Sequence, residues 1–103
     1  MPKRRQSKNE FRRTNKKGGK NHPTYIYARE GDDYVYLGLT HSRITENVEN
    51  IRLDKNPNPK DKRPAYVRPM SQKANRSSFG KKFIGWFFSE SDKEKIENLK
   101  NKK

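Results

Sequence analysis

The sequence predicts a mainly β protein of the α+β class, in which a small antiparallel sheet and one C-terminal helix follow a disordered basic arm. Three observations predict this fold. Residues 24–40 alternate as a β-hairpin does, shorter apolar runs farther along are separated by proline-rich loops, and residues 89–92 resemble the capping box that begins a helix. Only 27% of the 103 residues are hydrophobic, so we expect a small core.

The basic arm is predicted over residues 1–20, which contain nine basic residues and one acid, Glu10. Phe11 and Met1 are its only large apolar side chains, so the segment buries too little surface to offset the entropy lost on ordering. We expect the arm to end at Gly18 and Gly19, and one small β-barrel-like domain with a C-terminal helix to occupy residues 21–103. The arm residues expected to bind phosphates are Lys3, Arg4, Arg5, Lys8, Arg12, Arg13, Lys16, Lys17 and Lys20.

The hairpin is predicted to turn at Gly31 and Asp32. This register pairs apolar residues with apolar residues, for example Ile26 with Leu37. It also sets His22 opposite His41 at the open end of the hairpin.

The rest of the chain predicts shorter elements. Brief strands are expected at 50–53, 65–68 and 83–88, and a mobile loop is expected at 70–82. The run 83–88 should be the most buried strand, and the alternative is a recognition surface with exposed aromatics. A helix is expected over 92–100. Together these elements predict a small twisted antiparallel sheet or an SH3-like partial barrel.

The charge predicts a polyanionic partner, because 26 lysine and arginine residues against 12 acids give a formal net charge of +14. We expect nucleic acid, and RNA more than DNA, since the hairpin tyrosines could stack on unpaired bases. The residues assigned to this face are Tyr25, Tyr27, Tyr34, Tyr36 and Arg29, and Arg63 in a later loop is added as a further contact. Two alternatives are that the tyrosines pack against the C-terminal helix and that the arm is a solubilising tail.

Several classes of protein are excluded or disfavoured. The absence of cysteine excludes disulfides, thiolate zinc sites and cysteine nucleophiles, and we expect neither a metal nor another cofactor. No apolar run reaches the roughly 18 residues that a membrane span needs, and no apolar segment follows the basic start as in a secretory signal. We therefore expect a cytoplasmic protein without a membrane partner.

The order of motifs resembles the small-barrel toxins of the MazF/PemK type. The quoted elements are His22-Pro23-Thr24-Tyr25-Ile26-Tyr27, Leu39-Thr40-His41-Ser42, Tyr66-Val67-Arg68 and Phe88-Ser89-Glu90-Ser91-Asp92. The resemblance implies a sequence-selective endoribonuclease, an acidic antitoxin partner and a homodimer. The chain departs from the family in having His22 where an arginine is usual, a basic arm in place of the first strand, and Met70 where some members hold an acid.

Cleavage of RNA without a metal requires a base, an acid and a cation that stabilises the phosphorane. His22, His41 and Arg68 are the candidate catalytic residues, with Thr40 and Ser42 as donors to phosphate. The alternative is that the two histidines are ordinary surface residues. The protein would then be a non-enzymatic nucleic-acid-binding or ribosome-associated protein, or a mobile-element or phage-type accessory factor that binds a host nucleic-acid enzyme.

Overall fold

The computed structural model describes residues 5–14 and 22–101. The elements in this part of the chain are β1 (Arg5–Thr14), β2 (Pro23–Glu30), β3 (Asp33–Thr40), β4 (Ile44–Thr45), β5 (Val48–Glu49), β6 (Ile51–Arg52), β7 (Tyr66–Val67), β8 (Gln72–Asn75), a 3-10 turn (Arg76–Ser78), β9 (Phe79–Lys82) and α1 (Glu90–Asn101). The mainly β fold with one C-terminal helix is therefore confirmed.

One antiparallel sheet organises the molecule. Its strands follow the order β6-β7-β3-β2-β1-β9, and β8 pairs with β3 beyond the end of β7. The strands β4 and β5 form a separate small hairpin. The sheet does not close on itself.

The predicted disordered arm is wrong over residues 5–14, which form β1 between β2 and β9. Phe11 is only 3% exposed, and its ring centroid lies 5.0 Å from that of Phe88 and 5.2 Å from that of Tyr25. Glu10 partly neutralises the strand, because Arg12 Nε lies 2.7 Å and Lys8 Nζ 3.4 Å from its carboxylate. Since β1 belongs to the sheet, no boundary after residue 20 separates it from the domain. Residues 1–4 and 15–20 of the predicted arm lie outside the described residues.

The predicted hairpin register holds only near the turn. Ala28 pairs with Val35 as expected, but a bulge follows, and Ile26 then pairs with Tyr36 instead of Leu37. The extra residue is Tyr27, and a bulge of this kind moves every later residue to a new partner. The shift continues to Thr24, which pairs with Gly38, so the register sets His22 level with Thr40 rather than His41.

The hairpin tyrosines do not share one face. Tyr25 and Tyr27 lie in the larger core cluster with Phe88 and Ile96, whereas Tyr34 and Tyr36 lie in a second cluster with Phe79 and Ile26. The α1 helix covers the first pair, because Lys100 Nζ lies 5.7 Å from the Tyr27 ring centroid. Burial, together with nearby Glu97, raises the pKa of Tyr25 to about 12. Packing against the helix is thus correct for two of the four tyrosines.

The predicted mobile loop at 70–82 is also wrong, because β8, the 3-10 turn and β9 occupy it. Phe79 explains this order. Its side chain is buried, and its ring meets those of Tyr34 and Tyr36 edge-on at 5.3 and 5.1 Å. A sequence that is polar on average is therefore anchored by a single aromatic side chain.

The run 83–88 is not the most buried strand but an irregular segment after β9. Gly85 has a φ of 85°, which interrupts any extended conformation there. Ile84 is 91% and Phe87 55% exposed, while Phe83 and Trp86 are half-buried and stack at 4.4 Å. The apolar composition of this segment therefore led to a wrong prediction of a buried strand.

The helix α1 begins just after Ser89, whose Oγ accepts the N–H of Asp92 at 3.3 Å. In a full capping box the acid would bond back to the cap residue. Here the fully buried Asp92 carboxylate instead accepts the backbone N–H groups of Asp54 and Lys55 at 2.8 and 3.1 Å. These bonds join the first turn of the helix to the loop that follows β6.

Candidate nucleic-acid interface

Three clefts in the described part of the chain contain polar and aromatic groups available for binding, and we name them by their most prominent side chains. The arginine cleft, of about 240 Å³, is lined by His22, Thr40, Thr45, Glu46, Arg68 and Gln72 among others. The tryptophan cleft, of about 260 Å³, includes His22, Thr40, His41, Ser42, Asp61 and Trp86. The lysine cleft, of about 410 Å³, includes Arg52, Lys55, Asp61, Lys62, Arg63 and Phe87.

Neighbouring clefts share walls. His22, Leu39 and Thr40 line both the arginine and the tryptophan clefts. In the same way Asn56, Asp61 and Ala65 line both the tryptophan and the lysine clefts. The three clefts therefore adjoin one another in sequence, and we call the three together the track.

Arg68 is held firmly in the arginine cleft. Its Nη1 donates to Thr45 O at 3.0 Å and to Asn50 Oδ1 at 3.2 Å. Its side chain lies across Gly38 in β3, where a Cβ would stand only 3.2 Å from Arg68 Cγ. Its Nε and Nη2 have no hydrogen-bond partner among the described residues, so they are available to a ligand.

Two threonines add donors to this cleft. Thr40 Oγ1 accepts the Ser42 N–H at 3.2 Å, and Thr45 Oγ1 accepts from Asn50 Nδ2 at 2.8 Å. Each hydroxyl proton has no acceptor within residues 5–14 and 22–101. Both protons can therefore be donated to a phosphate or base oxygen.

His41 is oriented in the tryptophan cleft by two contacts. Its Nδ1 lies 2.9 Å from Pro64 O, and its Nε2 lies 3.6 Å from Asp61 Oδ2. Asp61 accepts from Arg63 Nε at 3.0 Å and from Arg63 Nη2 at 2.8 Å, and these bonds hold the pKa of Asp61 well below its usual range. The contact to Pro64 favours the tautomer with the proton on Nδ1, because a carbonyl oxygen can only accept.

The predicted catalytic residues are distributed over two adjoining clefts. Both histidines line the tryptophan cleft with Thr40 and Ser42. Arg68 lies in the arginine cleft, together with His22 and Thr40 but without His41. The direct pairing of the two histidines across the hairpin is wrong, because the bulge in β2 changes the register.

Several predicted phosphate contacts already have partners. Lys8 and Arg12 are bound to Glu10, and Arg29 Nε donates to Gly31 O at 2.7 Å. Arg13 differs, since its guanidinium lies 5.8 Å from the Phe83 ring centroid and makes no ion pair within the described part of the chain. Lys3, Arg4, Lys16, Lys17 and Lys20 lie outside the described residues, and only the backbone of Arg5 is described.

The predicted stacking residues are largely buried. Tyr25 and Tyr27 lie in the core, whereas Tyr36, also buried, lines the arginine cleft and donates its hydroxyl to Gln72 Oε1 at 2.8 Å. Arg63 lines the lysine cleft, as its assignment to binding requires, although its guanidinium is shared with Asp61.

Sequence reasoning missed the lysines of the track, and it gave the exposed aromatics only as the alternative to a buried strand at 83–88. Lys55 and Lys62 have no hydrogen-bonding or ion-pair partner for their side chains among the described residues, and Phe87 lines the lysine cleft beside them. A usable signal was present, because Lys60, Lys62 and Arg63 surround a single acid between two prolines. Lys81 and Lys82 on the edge strand β9 are further exposed cations.

Two other kinds of site are absent from the described ranges. No group of three or more histidine, aspartate or glutamate side chains there is placed to hold a metal ion. In the same part of the chain, no helix combines the length and apolar character needed to cross a membrane.

No protein-family model matches the chain, and neither a curated protein nor a solved structure was found to match it. The resemblance to the MazF/PemK toxins therefore stays a prediction based on the order of motifs.

Proposed function

We propose that this protein binds single-stranded nucleic acid along the track, and RNA in preference to DNA. The observation that carries the proposal is the adjacency of three clefts that together contain unpaired cations, the exposed ring of Phe87, the half-buried ring of Trp86 and unused hydroxyl donors. A chain of nucleotides offers the matching groups in repeating order, namely phosphates, bases and ribose hydroxyls.

Lysine side chains of the described residues differ in whether they form ion pairs with an acid of the protein. Lys93 pairs with Glu90 at 3.1 Å and Lys73 with Glu30 at 2.8 Å, so these lysines are already partly neutralised. Lys55 and Lys62 in the lysine cleft have no such partner within the described ranges. An unpaired lysine can neutralise a phosphate without first breaking an ion pair. Each phosphate neutralised in this way releases counterions condensed on the nucleic acid, which favours binding.

The aromatic groups favour unpaired bases. Phe87 is 55% exposed, and Trp86 lies at the wall of the tryptophan cleft with one side stacked on Phe83. Such rings stack on the faces of unpaired bases. In a duplex these faces are already stacked on neighbouring base pairs. The hydroxyls of Thr40 and Ser42 and the imidazole of His22 are suited to the ribose 2′-hydroxyl, which favours RNA.

The salt dependence of binding tests this proposal. Replacing Lys55 and Lys62 together by glutamine is expected to reduce the slope of log affinity against log salt by about 0.7 for each phosphate that is no longer neutralised. The measurement is fluorescence anisotropy of a labelled single-stranded RNA over a range of salt concentrations.

The matched control replaces Lys73 and Lys93 by glutamine, which removes the same charge from lysines that lie in ion pairs outside the clefts. The control should leave the slope nearly unchanged. Equal slopes for the two double variants would show that only total charge matters and would refute binding along the track.

A second candidate function is metal-independent cleavage of RNA at the wall shared by the arginine and tryptophan clefts. The observation that favours it is that this wall carries His22 and Thr40, with Arg68 on one side and His41 on the other. One imidazole would take the 2′-hydroxyl proton as the 2′-oxygen attacks phosphorus, and the other would protonate the departing 5′-oxygen. In this second function the free N–H groups of Arg68 would stabilise the phosphorane, and they would then not be available to a base.

Cleavage is tested with a long single-stranded RNA in the presence of EDTA. The wild-type protein is expected to give discrete fragments, and His22→Ala is expected to abolish them while retaining RNA binding. Lys93→Gln serves as the control and should cut normally. RNA that stays intact at high protein concentration would refute this second function without affecting the first.

A further inference from the structure

The turn between β4 and β5 has an unfavourable backbone conformation for its sequence. Its two central residues, Glu46 and Asn47, have φ values of 51° and 65°. A two-residue turn with both residues in the left-handed region strongly favours asparagine, aspartate or glycine. Asn47 suits this conformation, but a glutamate at the first position carries a steric cost.

Buried contacts hold the turn in this conformation. Asn50, which is 5% exposed, donates through Nδ2 to Ser42 O at 2.9 Å and to Thr45 Oγ1 at 2.8 Å. Arg68 Nη1 binds Thr45 O next to the turn. Strained residues persist where the surroundings fix them, and they concentrate at functional sites.

The Glu46 side chain lines the arginine cleft, is exposed, and makes no ion pair or hydrogen bond within the described ranges. A carboxylate repels phosphate, so in this cleft Glu46 is suited to a ligand group that donates hydrogen bonds. Carboxylates bind well to a pair of adjacent N–H donors, one to each oxygen.

Guanine is the base that matches this cleft. Its N1–H and N2–H are two adjacent donors, whereas adenine and cytosine each combine one amino donor with an acceptor, and uracil places its single N–H between two carbonyls. Its other edge carries the acceptors O6 and N7, which arginine binds with two N–H groups. Arg68 has Nε and Nη2 free among the described residues to donate to O6 and N7. The Glu46 carboxylate can accept from N1–H and N2–H on the other edge.

We infer that the arginine cleft recognises an unpaired guanine, with Glu46 accepting from its Watson–Crick edge and Arg68 donating to O6 and N7. This inference rests on the proposed binding of single-stranded RNA and specifies the base that one cleft selects. Glu46 is thus a specificity-determining residue, and the strain of the turn is explained by the position that it gives the carboxylate.

The test compares three labelled uridine oligonucleotides that carry a central guanosine, a central inosine or no substitution. Inosine lacks only the N2 amino group. Wild-type protein is expected to bind the guanosine oligonucleotide about tenfold more tightly than the inosine one, as the removal of one half of a bidentate pair predicts. Glu46→Gln should lose this preference while binding the all-uridine oligonucleotide at least as tightly.

Glu49→Gln is the matched control, because Glu49 is an exposed acid in the same hairpin, is paired with Arg43, and does not line the cleft. It should keep the guanosine preference. Glu46→Asn gives a second readout, since asparagine suits the turn. This variant should melt about 4 °C higher than wild type and still lose the preference.

The outcomes separate the two proposals. Equal binding of guanosine and inosine oligonucleotides by wild type, or a preference retained in Glu46→Gln, would overturn guanine recognition and leave RNA binding intact. Failure of wild type to bind any of the oligonucleotides would overturn both.

Discussion

Replacing Phe11 by alanine is expected to lower the free energy of unfolding by about 3–5 kcal/mol. Phe11 is 3% exposed, and its ring lies within 6 Å of three others, since the centroids of Tyr25, Phe88 and Trp86 are 5.2, 5.0 and 5.8 Å away. A small domain has only about 5–15 kcal/mol in total, so the variant should be close to unfolded. Urea denaturation followed by the fluorescence of the single tryptophan, Trp86, measures the difference.

The control for this prediction is Ile84→Ala. Ile84 is 91% exposed, and its truncation should change the free energy of unfolding by no more than about 0.5 kcal/mol. If Phe11→Ala proved as mild as this control, β1 would not pack into the core, and a disordered basic arm would describe the N-terminal segment better.

Replacing Asp92 by alanine is expected to lower the free energy of unfolding by about 3 kcal/mol. The variant loses two hydrogen bonds from the backbone N–H groups of Asp54 and Lys55 to a carboxylate that is fully buried. It also loses the ion pair of that carboxylate with Lys95 Nζ at 3.5 Å. Hydrogen bonds to a charged group are worth more than neutral ones, which is why one side chain has so large an effect.

The same denaturation measurement on Glu94→Ala provides the comparison, because Glu94 is an exposed acid in α1 that forms no ion pair within the described ranges. Its replacement should be nearly neutral. A similar decrease in both variants would mean that helix propensity or total charge, and not the buried carboxylate, determines the stability of α1.

Features of the fold that depend on neighbours in sequence were predictable. The turn at Gly31 and Asp32 and the cap at Ser89 are both present, because each depends on residues only a few positions apart. β1 was not predictable in this way. Phe11 lacks apolar neighbours in its own segment and packs against Tyr25, Trp86 and Phe88, which are distant in sequence.

The candidate site was predictable to a similar extent. His22, Thr40, His41, Ser42 and Arg68 line two adjoining clefts, but His41 and Arg68 do not line the same one. The bulge at Tyr27 could not be foreseen, because it depends on how the side chains of Tyr25 and Tyr27 pack into the core. The bulge shifts the pairing of β2 with β3 by one residue. The tyrosines then become core residues, and the exposed rings lie in the irregular segment after β9.

The position of β1 has a consequence for how the chain is made. One edge of β1 pairs with β2, which follows it closely, but the other pairs with β9, where Arg12 meets Lys82. During synthesis that second edge must therefore stay unpaired until nearly the whole domain has left the ribosome. Unpaired edges promote aggregation, and lysine or arginine side chains along them prevent it. Arg12 lies at this edge, and a charged side chain there is the kind of feature that opposes pairing with other chains before β9 covers it.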